Sequence, residues 1–321
     1  MKELEQIDIK ILKMLLRDGR RSFLEIATQC HTSNNVIGAH YKELTKAGII
    51  VGATIQFNYQ KFGYHGLATI MMNVESQNLT NVFSRISEIP EMHMFRYYNS
   101  VYNIAAISTL KNMSDLEHVK QIINKNNKIN EVKTYLWVDV RNIPENILSD
   151  PSDPQYDYIC PPINNQENFQ KIDQIDLKII DALTLNGRLP FRQIAQQIGA
   201  STTTISRRYE RLKKNNLIKT SIQINALKLG YQSILEVSLA LADQNEINEL
   251  ANKLSRIAGV SYLVKISGNY DLSVVALVKD CNDVIKINDA ILQIPNIKKM
   301  EATLRSLPGA WPGKRQYIST F

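Results

Sequence analysis

The sequence predicts an α+β protein in which a winged helix-turn-helix unit, followed by a ferredoxin-like βαββαβ domain, occurs twice in tandem. Two observations lead to this fold class. Residues 7–50 and 175–218 align at a constant spacing of 168, and 17 of their 44 positions are identical. After each of these segments, stretches with the apolar spacing of a strand and stretches with that of a helix follow one another, and their order is the same in both copies. A repeat of this length is a whole folded unit, because solenoid repeats have periods of ~20–50 residues.

Size and composition are those of a globular protein with several domains. The chain has 321 residues, of which 44% are apolar. It contains no apolar run of ~18 residues and does not begin like a signal peptide, so we expect a cytoplasmic protein without a membrane partner. Its three cysteines, Cys30, Cys160 and Cys281, match no zinc or disulfide spacing. We therefore predict no metal site and no cofactor.

The first helix of each repeat shows the clearest helical pattern. Ile7, Ile11 and Leu15 recur at the spacing of an amphipathic helix, and the second copy repeats this pattern. A glycine follows in both copies, and Gly19 and Gly187 are predicted to stop the helix.

Two further helices and a strand complete each unit. A short turn separates the two helices, which is typical of a helix-turn-helix, and a serine suited to an N-cap (Ser33 or Ser201) precedes the last helix. The strand after it is interpreted as the wing. The predicted helices are about 22–30, 34–46, 190–198 and 202–214, and the predicted wings are 50–57 and 218–224.

The rest of each repeat follows the ferredoxin-like order. Its strands are nearly continuous in apolar residues, so both faces of the sheet must be covered. Helices cover one face, and we expect a partner sheet, from the other half or from a second chain, to cover the other. The predicted domains are 1–60 and 171–227 (winged helix-turn-helix), 61–140 and 228–306 (ferredoxin-like), 141–170 (proline-rich linker) and 307–321 (C-terminal tail).

The third helix of the second copy is the strongest candidate for contact with double-stranded DNA. Residues 201–214 carry a net charge of +4. Hydroxyl groups at the helix start followed by arginines suit a helix whose first turns meet base edges while basic groups reach phosphates. The alternative is an ordinary solvated basic face. The candidate residues are Ser201, Thr202, Thr203, Ser206, Arg207, Arg208, Arg211 and Lys214.

The third helix of the first copy is less well equipped. Residues 33–46 have a net charge of only +1, and Gly38 lowers helix stability by about 1 kcal/mol relative to alanine. This copy either contacts DNA or keeps only the fold. The candidate residues are Asn34, Asn35, His40 and Lys42.

Both halves resemble the Lrp/AsnC family of transcription regulators. The resemblance rests on the Ile-Asp-x-x-Ile opening, on Gly-Arg-x-x-Phe-x-x-Ile-Ala, and on Asn58-x-x-Lys61-x-Gly63-Tyr64 with its second copy from Asn225. It implies a winged helix-turn-helix followed by an effector-binding, RAM-type domain. Such domains dimerise sheet to sheet and often bind amino acids or similar small molecules between them. This chain departs from usual members by containing two copies, and we expect a homodimer or higher oligomer.

The resemblance also indicates an effector site in the second half. The family's Gly-Asp-Tyr-Asp turn is present as Gly268, Asn269, Tyr270 and Asp271. Asp271 is expected to meet the α-ammonium group of an effector, and the alternative is a plain hairpin turn. In the first half the glycine and both carboxylate-type positions are missing from residues 100–103, so such binding is not expected there.

Two other functions compete with a DNA-binding regulator. Siroheme decarboxylases share the two-domain architecture, and His93, Arg96 and Tyr97 form the one suggestive cluster on a strand. A lone histidine on a strand is more often a packing residue than a ligand, and no phosphate loop, catalytic triad or metal spacing is visible. The third reading is a ligand-sensing module that has lost DNA binding. The sequence therefore favours a regulator, without catalytic residues, over an enzyme.

Overall fold

The computed structural model describes residues 4–89, 92–97, 100–124, 128–148, 172–313 and 317–318. Its elements follow the predicted order in both halves. The first half contains α1 (Gln6–Arg17), α2 (Phe23–Gln29), α3 (Asn34–Lys46), β1 (Ile50–Asn58), β2 (Gly66–Val74), α4 (Leu79–Ser87), β3 (Met92–Arg96), β4 (Ile104–Leu110), α5 (Met113–Asn124) and β5 (Ile129–Asn142). The second half contains α6 (Gln174–Leu185), α7 (Phe191–Ile198), α8 (Thr202–Lys214), β6 (Ile218–Ile224), β7 (Ser233–Leu241), α9 (Ile247–Ser255), β8 (Val260–Ser267), β9 (Leu272–Val278), α10 (Cys281–Leu292), β10 (Ile297–Ser306) and β11 (Tyr317–Ile318).

Local sequence signals explain where the helices begin. The hydroxyls of Ser33 and Ser201 each accept a hydrogen bond from a backbone N–H in the first turn of α3 and α8, so both predicted N-caps are confirmed. At the start of α6, the side chains of Asp173 and Asp176 each accept a hydrogen bond from the other's backbone N–H. This reciprocal capping box fixes the first turn of α6.

Gly19 and Gly187 serve a different purpose from the predicted one. Neither has the left-handed backbone of a helix stop. Each lies against a strand of the other half, and their backbone N–H groups donate to β6 and β1, both at 2.8 Å. A Cβ at Gly19 would lie 2.7 Å from the carbonyl carbon of Ser221, and one at Gly187 would lie 2.8 Å from the carbonyl oxygen of Thr54. Lack of space, not backbone conformation, requires glycine here.

The strands predicted as wings pair with each other. β1 and β6 run antiparallel from Ile50 opposite Ile224 to Phe57 opposite Ile218. The helix α1 packs on β6 of the other half, and α6 packs on β1. The strands predicted as wings, 50–57 and 218–224, thus form a ribbon that joins the two three-helix units, which we call the two heads.

The two ferredoxin-like sheets merge into one. Eight strands follow the order β10-β7-β9-β8-β5-β2-β4-β3, and the antiparallel pair β5–β8 joins the halves. At the other end, Tyr97 beyond β3 pairs with Arg305 of β10, so the outer edges of the sheet approach each other. The helices α4 and α5 pack on one half of the sheet and α9 and α10 on the other. The expected cover for the second face thus comes from the other half of the same chain.

Two connecting segments differ from their predicted boundaries. Residues 141–148 belong to the folded body, since β5 reaches Asn142 and the side chains of Glu145 and Asn146 are buried. The predicted linker therefore starts later than residue 141, and residues 149–171 lie outside the described part. The predicted tail returns to the heads: Trp311 pairs with Ile224 of β6. No helix among the described residues is long and apolar enough to span a bilayer.

Candidate functional sites

The exposed surface of α8 begins with the predicted hydroxyl groups. Ser201, Thr202 and Thr203 are exposed, and Ser206 is half-buried. Arg207 is exposed and forms no hydrogen bond or ion pair within the described ranges, and the same holds for Lys214. The buried face of α8, with Ile205, Tyr209 and Leu212, packs into the core of the second head.

Two of the predicted DNA-contacting arginines are paired with carboxylates of α6 and its N-cap. The Arg208 guanidinium donates to Asp173 at 2.6 Å and to Asp176 at 3.1 Å, and Arg211 donates to the other oxygen of Asp176. Asp176 is fully buried, so its charge needs these partners. The hydrogen bond from Arg208 lowers the pKa of Asp173 to about 2. Arg208 and Arg211 therefore fasten α8 to α6, and their contact with DNA stays a prediction.

The first head has the same fastening with a different donor. His40, at the repeat position of Arg208, lies with its Nδ1 2.8 Å from the carboxylate of the fully buried Asp8. His40 therefore fastens α3 to α1, and its contact with DNA stays a prediction. Asn34, Asn35 and Lys42 are exposed at the surface of α3, as a role in DNA contact requires.

Two arginines that sequence reasoning missed cross between the heads. Arg20 donates to the carbonyls of Gly187 and Leu189 at 2.8 and 3.0 Å, and its guanidinium lies 4.1 Å from the centre of the Phe191 ring. Arg188 donates in return to the carbonyl of Gly19 at 2.5 Å. The Gly-Arg pair, present in both repeats, was the available sequence signal for these arginines. The carbonyl groups that they contact lie about half a chain away, so the sequence did not identify them.

A cavity of about 390 Å³ lies between the inner faces of the two sheet halves. Aromatic side chains from both halves contribute to its wall, and both tryptophans of the chain belong to it. The aromatic residues used below are Phe95, Tyr97, Tyr135, Trp137, Tyr262 and Trp311. Its volume is that of a small-molecule site, ~300–1,000 Å³.

A buried charge network forms part of the cavity wall. The carboxylate of Glu236 accepts hydrogen bonds from the hydroxyls of Tyr97 at 3.0 Å and Ser273 at 3.2 Å, and lies 3.3 Å from Nε of Arg305. Burial raises the pKa of Tyr97 well above its usual value, and the adjacent Glu236 raises it further. At the equivalent place in the first half, the indole of Trp137 donates to the Thr69 hydroxyl at 2.7 Å.

The Gly-Asn-Tyr-Asp turn reaches the cavity through one residue only. Tyr270 lines the cavity, whereas Asn269 is exposed. Gly268 has φ +149°, and a Cβ there would lie 3.0 Å from the ring of Tyr135. The Asp271 carboxylate accepts hydrogen bonds from the Leu241 N–H at 2.8 Å and from the Gln244 amide at 2.7 Å. Both oxygens of Asp271 thus hold the chain at the end of β7, and contact of Asp271 with an α-ammonium group stays a prediction.

The matching turn of the first half also contributes to the cavity, which the sequence did not indicate. Tyr102, at the repeat position of Tyr270, lines the cavity. The ammonium group of Lys133 lies 5.8 Å from the centre of the Tyr102 ring, 5.2 Å from that of Tyr135 and 5.5 Å from that of Tyr270. The two turns therefore meet around one lysine. The shared tyrosine at one repeat position was the available signal.

The residues of the proposed tetrapyrrole cluster have mixed placements. Tyr97 and Arg96 line the cavity, and the Arg96 guanidinium lies 4.8 Å from the centre of the Phe83 ring. The side chain of His93 lies outside the described part. Within that part, no group of three histidine, cysteine or acidic side chains is placed to hold a metal ion.

The segment after β10 connects the cavity to the heads. Leu307, Pro308 and Trp311 line the cavity. The backbone N–H of Trp311 donates to the carbonyl of Ile224 at 2.8 Å, and the Ile224 N–H donates back at the same distance. This segment, residues 307–313, thus touches both the cavity and the ribbon between the heads.

Family models match three parts of the chain. The AsnC-type helix-turn-helix domain matches residues 172–213, and a winged helix-turn-helix DNA-binding domain matches residues 4–51. The Lrp/AsnC ligand binding domain matches residues 232–305.

Single-unit regulators are similar to part of the chain. HTH-type transcriptional regulator Ptr1 of Methanocaldococcus jannaschii is 30% identical over 135 residues, which is 41% of this chain and 90% of that protein. An uncharacterised HTH-type transcriptional regulator of Pyrococcus abyssi is 31% identical over 141 residues, which is 43% of this chain and 95% of that protein. Each relative thus has the length of about one half of this chain.

A solved structure is similar over nearly the whole chain. The siroheme decarboxylase NirDL superimposes with a TM-score of 0.65 at 15% identity, covering 98% of this chain and 94% of that one. NirDL has also been solved with an iron-uroporphyrin III analogue, and that structure gives a TM-score of 0.64 at 14% identity. At such identities the similarity extends to the fold alone.

Proposed function

The chain belongs to the Lrp/AsnC family, and on that premise we propose that it is a sequence-specific DNA-binding transcription regulator made of two fused family units. The observation that carries the proposal is the surface of α8. Thr202, Thr203 and Arg207 are exposed there, and Arg207 has no partner among the described residues. Hydroxyls in the first turn followed by a free arginine suit a helix that lies in the major groove.

The ribbon supports the proposal by placing two heads in one chain. Paired β1 and β6 hold α3 and α8 in a fixed relation without a second polypeptide. Regulators of this kind bind two half-sites whose spacing mirrors the symmetry of the heads. Because the exposed residues of α3 and α8 differ, the preferred operator should consist of two unlike half-sites.

The proposal is tested by DNA selection followed by one substitution. Genomic fragments bound by the full chain are selected, and affinity for the best fragment is measured over a range of salt concentrations. Replacement of Arg207 by alanine should weaken binding about tenfold or more, since a lost arginine contact to a base costs ~1–3 kcal/mol. If Arg207 contacts a phosphate instead, the salt slope should fall by about 1. Lys286→Ala, at an exposed position of α10, is the control and should change neither.

Absence of salt-dependent binding to any selected fragment would overturn the assignment. It would favour the third reading, a sensing module without DNA binding, if small molecules still bind. An unchanged affinity and salt slope for Arg207→Ala would remove α8 from the interface.

We further propose that a small molecule binds in the cavity and is sensed by the heads through residues 307–313. Trp311 forms part of the cavity wall and is hydrogen-bonded to β6. A ligand that binds more tightly when Trp311 is in one position would favour the matching arrangement of the ribbon. The size of this shift is limited by the difference in the ligand's affinity for the two arrangements. The expected location is the cytoplasm. Assembly into a homodimer stays a prediction, and it would have to use surfaces other than the inner sheet faces, which already pair within the chain.

One observation favours the alternative function, a tetrapyrrole decarboxylase with the same architecture. The cavity lies between the two halves, and Arg96 and Tyr97 of the proposed cluster line it. Titration with iron-uroporphyrin distinguishes the two functions. A porphyrin absorption band shifted by stoichiometric binding, together with no DNA binding, would favour the enzyme.

A further inference from the structure

The polar groups of the cavity wall are unbalanced towards hydrogen-bond donors. The indole Nε1 of Trp311 is buried and has no hydrogen-bond partner, although Trp311 is only 5% exposed. The Nε of Arg305 is also buried, but it lies 3.3 Å from the Glu236 carboxylate, so the Trp311 indole is the one of these two donors without an acceptor nearby. Buried donors without acceptors are costly. A ligand that supplies acceptors would remove that cost.

Lys133 adds a positive charge to the cavity wall. Its ammonium group lies among the tyrosine rings of residues 102, 135 and 270 and forms no ion pair with any described residue. Tyrosine rings attract a cation weakly through their faces. They do not neutralise its charge, so an anion can still gain by binding there.

The carboxylates of the wall are already occupied. Glu236 accepts hydrogen bonds from Tyr97 and Ser273 and is paired with Arg305. Glu301 accepts the hydroxyl of Tyr270. An ammonium group on a ligand would therefore compete with hydrogen bonds that these carboxylates already accept, whereas a carboxylate would meet the Trp311 indole N–H, which has no acceptor, and the Lys133 ammonium group.

The shape of the wall narrows the ligand further. Trp137 and Tyr262 meet edge to face at 6.3 Å, and Phe95 and Tyr97 do so at 5.5 Å. Such walls favour flat rings. A volume of about 390 Å³ holds roughly a dozen water molecules at ~30 Å³ each. This is the size of one or two rings with a short side chain.

We propose that the cavity binds an aromatic carboxylate that lacks an α-ammonium group, with its anionic end at Lys133 or at the Trp311–Arg305 end of the wall. This departs from an amino-acid effector. The ligand's role as an effector rests on the proposed function as a regulator. Binding of the ligand can be measured without DNA.

The experiment compares two probes that differ only in the ammonium group, 3-phenylpropanoate and phenylalanine, on the full chain. Indole-3-propanoate and tryptophan form a second matched pair for calorimetry. Because both tryptophans line the cavity, intrinsic fluorescence reports occupancy directly for the phenyl pair. We expect each carboxylate without the ammonium group to bind at least tenfold more tightly than its amino acid.

Substitutions then test the two ends. Lys133→Met keeps the side-chain stem and removes the charge, and Trp311→Phe keeps the ring and removes the donor. We expect at least one of them to weaken 3-phenylpropanoate binding tenfold or more, while Lys298→Met, at an exposed position, leaves it unchanged. Unfolding midpoints close to that of the parent chain show that the variants are folded.

Three results would overturn the proposal: tighter or equal binding of the amino acids, no effect of either substitution, or binding of none of the aryl carboxylates at millimolar concentration. Uptake of iron-uroporphyrin alone would also overturn it. None of these results removes DNA binding measured without ligand, so the proposed function and the ligand class fail separately.

Discussion

The two heads are built on one framework but differ on the surface of their third helices. Both bury an aspartate in the first helix, Asp8 or Asp176, and use it to hold the third helix. The first head offers it a histidine, and the second offers two arginines. At the next exposed position the first head has Ala39 where the second has Arg207.

The difference separates positive charge that holds the fold from charge that remains free for a partner. The second helix has the higher net charge, but Arg208 and Arg211 are occupied by Asp176 and Asp173. Counting charges along α8 therefore overstates its free positive charge. The contrast between the heads rests mainly on Arg207 and can be tested there.

The largest expected effect concerns the buried aspartates. Asp176→Asn removes the buried carboxylate that Arg208 and Arg211 share, and Arg208 keeps its bond to Asp173. We expect it to cost about 3 kcal/mol, since Arg211 is partly exposed and its share is screened. Asp8→Asn should cost about 1 kcal/mol, because it weakens the bond to His40 while the asparagine oxygen can still accept the Glu5 N–H. Urea unfolding of both variants measures the difference. Equal losses would show that the two fastenings are equivalent.

The acid dependence of the second fastening follows from the pKa of Asp173. Arg208 depresses it from 3.8 to about 2 in the folded state. Its contribution is therefore fully present above pH 3.8 and is lost as the pH falls towards 2. The loss of stability in that range should be smaller in Asp173→Asn, as measured by unfolding between pH 5 and pH 2.

The next effect concerns the glycines at the ribbon. Gly187→Ala and Gly19→Ala place a Cβ within 3 Å of backbone atoms of the other half, and we expect each to cost about 1–3 kcal/mol through overpacking. Gly38→Ala is the matched control, since its Cβ would meet nothing closer than 4.0 Å, and it should stabilise α3 by about 1 kcal/mol. Thermal unfolding midpoints should move in opposite directions.

The two arginines that cross between the heads, Arg20 and Arg188, should differ by a smaller amount of unfolding free energy. Arg20 donates to two carbonyls, whereas Arg188 donates to one. We expect Arg20→Ala to cost about 2 kcal/mol and Arg188→Ala about 1 kcal/mol in unfolding free energy. A larger loss for Arg188→Ala in chemical denaturation would contradict this order.

The smallest effect is a gain in the first head. Ala39→Arg installs in α3 the free arginine that α8 has at Arg207. We expect several-fold tighter binding to selected DNA and a salt slope steeper by about 1. Ala39→Gln serves as the uncharged control. No change with arginine would indicate that α3 does not approach DNA.

Much of the fold could be predicted because its signals are local. The third helices occupy 34–46 and 202–214 as predicted, since a serine cap, an apolar period and a following strand lie within one short segment. The cavity residues were harder to predict. Tyr102 lies in the turn between β3 and β4 and Lys133 lies in β5, and they meet Tyr270 only because the two sheets join.

The sequence by itself determined the repeat, the order of elements in each half and the family, because periodicity, capping and motif spacing act between near neighbours in the chain. The tertiary structure decided which strands pair between the halves and which arginines of α8 form ion pairs. It also decided that the Asp271 carboxylate accepts two hydrogen bonds, whereas Lys133 forms no ion pair with any described residue. Each of these outcomes depends on contacts between residues far apart in sequence. The second half of the chain provides those contacts. Alignment of the two repeats shows that they are similar but does not specify which residues of one half touch the other.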